Sequence, residues 1–87
     1  MKKIDLSSYE VYFPIREYGY VKKYVSNRGF GHLLIKGSNI YLFFHYTKVL
    51  FPIENITQGL QVSVIPAFIK GRWQATSIEL LDENESI

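Results

Sequence analysis

Two segments each carry a ring, one residue, then a second ring: Phe30-Gly31-His32 and Phe43-Phe44-His45. Side chains alternate across a strand, so each ring pair shares one face if both segments are strands. Rings on an open face can stack unpaired bases, and cations beside them can neutralise phosphates. Lys22, Lys23 and Arg28 lie just upstream. Residues 18–53 hold Lys22, Lys23, Arg28, Lys36 and Lys48 with no acid, a local +5 in a chain of net charge +2. The same stretch holds nine of the fourteen aromatics: Tyr18, Tyr20, Tyr24, Phe30, Tyr41, Phe43, Phe44, Tyr46 and Phe51. A Tyr-rich sheet with a solvated basic face would have the same composition, because aromatics are strand formers.

Other chemistry is poorly supplied. The acids gather at the end of the chain (Glu79, Asp82, Glu83, Glu85) and form no convergent set with a base or nucleophile, so no enzyme is expected. Without Cys there is no disulfide, thiolate metal site or thiol nucleophile, which favours a reducing cytoplasm. Two histidines do not make a structural zinc site, and no cofactor is expected. Apolar runs fall far short of the roughly 20 residues that span a bilayer. Asp5, Ser7, Ser8 and Glu10 interrupt any signal-peptide core near the N-terminus, so no membrane partner is expected.

The elements that must position the rings read as β throughout, since helical spacing is not sustained over any window. Residues 9–13 alternate up to Pro14 and suggest a short strand or extended arm. Strands are expected over 19–25, 30–35, 40–46, 60–65 (stopping at Pro66) and 73–81. Turns fall at Ser26–Gly29, Lys36–Asn39 and Lys70–Arg72, with one irregular connection from Thr47 to Gly59. Five main strands in so short a chain suggest an all-β fold, a small closed antiparallel barrel. On 40–46 the aliphatic set Ile40, Leu42 and Phe44 is the natural interior, leaving Tyr41, Phe43 and His45 outside. On 30–35, Leu33 and Ile35 share the inner face with Gly31, and Phe30 and His32 lie outside. Gly29 and Gly31 leave little bulk beside Phe30, so a base could approach closely. The inverted assignment, with Phe30 and Phe43 in the core, has the same periodicity.

The run Arg28-Gly29-Phe30-Gly31-His32-Leu33 resembles the first ribonucleoprotein motif of the bacterial cold-shock domain, and Leu42-Phe43-Phe44-His45-Tyr46-Thr47 resembles the second. Gly59–Val64 and Lys70–Ala75 are similar to the family's later segments, so the resemblance runs over residues 19–81. It implies a five-stranded OB-type barrel that binds single-stranded RNA or DNA on its second and third strands. By the same resemblance Phe30, Phe43 and His45 fall on base-stacking positions and Tyr46 on a ring ending that face. Lys22 and Arg28 fall on basic positions.

Two expected rings are exchanged: Lys23 stands for a Trp, and His32 for a Phe. Strict alternation would turn Lys23 inward beside Val21 and Val25, so a bulge is expected there. A His at position 32 stacks with less area, and its protonation would add a phosphate contact. Trp73 stands where the family has Pro, either as a stacking platform or, the favoured reading, as core; Phe68 is also read as interior.

The chain thus divides into an N-terminal extension (1–18), the barrel (19–81) and an acidic tail (82–87). The leading reading is a non-enzymatic binder of single-stranded RNA or DNA, acting as an RNA chaperone or a regulator of transcription or translation. Its binding residues are Lys22, Lys23, Arg28, Phe30, His32, Phe43, His45 and Tyr46. The alternative is a protein-interaction or oligomerisation module derived from an OB barrel, with residues 1–18 as the arm for a protein partner or a second copy.

Overall fold

In the computed structural model, which describes residues 10–81, six strands follow one another: β1 (Glu10–Tyr12), β2 (Glu17–Val25), β3 (Phe30–Ile35), β4 (Tyr41–His45), β5 (Gln61–Ile69) and β6 (Arg72–Leu80). Tyr9, expected in the first strand, and the acidic tail lie outside the described residues. β2, β3 and β4 form an antiparallel meander. Its turns work as their residues suggest: Gly29 and Gly37 take positive φ (74° and 77°), a region open to glycine.

β5 pairs with β2 on one side and β6 on the other, and β6 closes onto β4. The ring of five is an OB-type barrel, with β1 added on β5. It is not antiparallel throughout, as first expected: the closing β4–β6 ladder is parallel. The reason is parity. Direction reverses at each antiparallel neighbour, and a ring with an odd number of strands cannot alternate all the way round.

Inside lie Val21, Leu33, Leu42, Phe44, Val62, Val64, Ala75 and Ile78. Leu42 (2% exposed) and Phe44 (1%) face inward as alternation requires, and Tyr24 stacks on Phe44 at 5.8 Å. Ile40, expected with them, is 58% exposed because it precedes β4 and belongs to the turn.

β5 does not stop at Pro66 but runs on to Ile69. On one edge β2 pairs with residues up to Val64 and β1 begins at Ala67. Pro66 sits in the gap between these partners, where a missing N–H breaks no ladder on that edge. The connection from Thr47 to Gly59 holds two short 3-10 turns, Tyr46–Lys48 and Ile53–Asn55.

Neither Trp73 nor Phe68 is core. Trp73 is 43% exposed and Phe68 half-buried. Trp73 meets Phe13 edge-on at 5.2 Å and Phe68 at 5.6 Å. With Glu17, Ile35, Ile40, Leu42 and Pro66, the Phe13 and Trp73 rings line a largely apolar pocket of about 330 Å³. Residues 10–13 therefore pack on the barrel as an added strand and a ring against Trp73.

Arg16 fastens that extension to the β5–β6 seam. Nε donates to Ser63 Oγ (3.0 Å), one terminal nitrogen to Ser77 Oγ (3.2 Å), and the other to the carbonyls of Ser63 (3.1 Å) and Ser77. Glu79 completes the cluster at 3.4 Å. The clamp holds an irregular place: the β5–β6 register shifts between Ser63 and Ile65, and Ser77 takes a positive φ of 49°. Hydrogen bonds from a charged donor are worth more than neutral ones. Arg16→Ala is expected to cost about 2 kcal/mol, read as a lower urea midpoint at unchanged slope.

Candidate nucleic-acid interface

The outer face of β3 and β4 is built by register. Phe30 lies opposite His45, and His32 opposite Phe43. Directly opposed side chains on a sheet touch, so the two ring pairs form one patch. Phe30 and Phe43 have centroids 5.8 Å apart, and His32 meets Phe43 edge-on at 6.2 Å. Both Phe rings are half-exposed and His32 is exposed. The expected face assignment is therefore observed, and the inverted one is not.

A bulge brings Lys23 to the patch. The β2–β3 register shifts between Val21 and Lys23, Val21 stays buried, and Lys23 is exposed opposite His32. Lys23, Arg28, Phe30 and His32 line one shallow groove. Lys22 is the bulged residue, exposed and without a ladder partner.

Gly29 and Gly31 do not clear space for a ligand, contrary to expectation. A Cβ at Gly29 would stand 2.7 Å from the Tyr46 ring. One at Gly31 would run into the Lys23 carbonyl oxygen and stand 2.8 Å from the Phe44 ring. Both glycines are buried, and their role is internal packing beneath the patch.

His45 and Tyr46 end the face, with ring centroids 4.6 Å apart. His45 has a second duty: its Nδ1 accepts from the Thr47 N–H (3.4 Å) and lies 2.9 Å from Thr47 Oγ1, capping the 3-10 turn that follows β4. Tyr46 is exposed and leans its ring over Gly29.

A guanidinium lies near each of the two Phe rings. The Arg28 guanidinium is 5.7 Å from the Phe30 centroid, and that of Arg72 is 4.0 Å from the Phe43 centroid. Cations favour the negative face of an aromatic ring within roughly 6 Å. Sequence reasoning placed Arg72 only in a loop. The signal that could have found it is the odd-membered ring, which forces a parallel closure and sets the start of β6 beside the middle of β4.

The geometry is an OB-type barrel whose outer face carries rings interleaved with cations. A solved structure titled drosophila Unr CSD456 is similar, with 32% identity and a TM-score of 0.69 over 84% of this chain. The chain spans 29% of the length of that structure. No protein-family model matches the sequence, and no curated protein matches it. Taken with the two motifs, the likeness supports a divergent cold-shock domain.

Proposed function

We propose that the chain binds single-stranded RNA or DNA on the outer face of β3 and β4. The observation that carries this reading is the Phe30–Phe43 pair, half-exposed, 5.8 Å apart and flanked by cations. Phe30 and Phe43 are the stacking platforms, with His32, His45 and Tyr46 extending them. Lys22, Lys23 and Arg28 neutralise phosphates. Binding of this kind is passive, with no bond made or broken, and fits an RNA chaperone or a regulator of transcription or translation.

The two exchanged rings lower affinity below that of a face carrying the full set. Each base–aromatic stack is worth roughly 1–3 kcal/mol, and a cation returns less of that once salt screens it.

The test is a titration with single-stranded RNA, single-stranded DNA and duplex at two salt concentrations. Both single strands are expected to bind more tightly than duplex, with affinity falling as salt rises. Equal or stronger binding to duplex would show phosphate attraction without base stacking, and would overturn the reading.

A second reading, a protein-interaction or oligomerisation module, draws on the exposed Tyr12 and Ile15 of the extension. It calls for no oligonucleotide binding at low salt, together with a concentration-dependent oligomer.

A further inference from the structure

We propose that Arg72 reads guanine, through the paired acceptors of its Hoogsteen edge, on the Phe30 ring beside Phe43. The inference rests on the single-strand reading above and adds base selectivity to it.

The argument begins with how firmly Arg72 is placed. Ile69 and Arg72 are ladder partners, and the two residues between them, Lys70 and Gly71, both take positive φ (52° and 82°). Two central residues with positive φ make the tight type I′ turn that matches strand twist. Arg72 thus opens β6 at the base of a two-residue hairpin turn, not in a long loop. Two residues on, Gln74 pairs with Phe43 across the parallel β4–β6 ladder. Residues two apart on a strand share a face, which sets Arg72 beside the Phe43 ring.

The contact fixes more than position. At 4.0 Å from the ring centroid, the guanidinium rests on the aromatic face. Its five N–H donors lie in its own plane and form a fixed fork. Among the described residues no hydrogen bond or ion pair takes these donors, whereas those of Arg16 are spent on Ser63, Ser77 and Glu79. Arg72 therefore lies over Phe43 as a fork of donors that no described residue takes, open in its own plane to the edge of a base on the neighbouring Phe30.

Such a fork matches two acceptors side by side. Guanine presents O6 and N7 in that arrangement on its Hoogsteen edge, adenine replaces one with a donor there, and uracil has no two adjacent acceptors on any edge. Stacking on Phe30 and Phe43 alone would read no sequence, because every base has a π-face. A phosphate also offers paired oxygens, so the test must separate a base contact from a backbone contact.

The full chain is titrated, by fluorescence polarisation at low salt, with a uridine heptamer and with the same heptamer carrying one central guanosine. A third heptamer carries 7-deazaguanosine there, which lacks N7. The guanosine heptamer is expected to bind about tenfold more tightly than the uridine heptamer. The 7-deaza heptamer and Arg72→Lys, which keeps the charge but loses the fork, should each erase that preference. Arg72→Lys should leave the uridine heptamer within about threefold of the native protein. Equal binding of all three heptamers by the native protein overturns the inference while leaving the single-strand reading intact. So does an equal loss for every heptamer in Arg72→Lys and Arg72→Ala, which marks a phosphate contact. Binding of none of them at low salt overturns both readings.

Discussion

Replacing both Phe30 and Phe43 with alanine is expected to weaken binding of a pyrimidine-rich heptamer by at least about thirtyfold. Each stack lost is worth roughly 1–3 kcal/mol, and each 1.4 kcal/mol is a factor of ten in affinity. Both rings sit on the outer face of the barrel, outside the core of Val21, Leu33, Leu42 and Phe44. The double variant should therefore stay folded, which its thermal transition would show. The slope of log affinity against log salt should stay as in the native protein, because the phosphate-neutralising cations Lys22, Lys23 and Arg28 remain. Unchanged affinity would mean that the bases stack elsewhere, and the proposed face would be wrong.

The second large effect falls on stability. Gly31→Ala is expected to cost about 3 kcal/mol, because overpacking a closed site forces backbone apart. The new methyl would meet the Lys23 carbonyl oxygen on one side and the Phe44 ring, 2.8 Å away, on the other. One obstacle is backbone at the β2 bulge and the other is a side chain 1% exposed in the core. Neither is the free end of a flexible group. For a domain of this size the loss corresponds to a fall of roughly 12–24 °C in Tm. A transition within a few degrees of the native protein would show that β2 and β3 can separate there, against the packing described. Gly37→Ala is the useful contrast: nothing lies near its Cβ, and only the positive φ of 77° resists the change.

Much of this architecture could be read from alternation and punctuation. β3 matches its expected span, and the buried Leu33, Leu42 and Phe44 against outward Phe30, His32 and Phe43 follow from period two. The bulge at Lys23 was legible because a lysine due inward beside two valines has no acceptable alternative. The failures share a cause: they depend on which strands become neighbours. Pro66 reads as a stop until β1 and β2 are seen to leave a gap at that residue. Trp73 reads as core until Phe13, sixty residues upstream in sequence, is found against it. The stacking of Arg72 on Phe43 spans a ladder whose direction comes from the closure of the whole ring. Arg16 looks like one more cation until the β5–β6 seam is seen to need a clamp.

The parity of the ring also has a kinetic side. The β2–β3–β4 meander and the β5–β6 hairpin are each assembled from near neighbours in sequence, whereas β2–β5 and β4–β6 join the two halves. Short loops close before long ones because they lose less chain entropy. Phe43 belongs to the first half and Arg72 to the second, so their contact forms only when the halves dock. A chain with only the β2–β3–β4 meander formed would hold the Phe30–Phe43 pair without the Arg72 guanidinium. Docking of the two halves, and not formation of either one, is the step at which the complete face comes into existence.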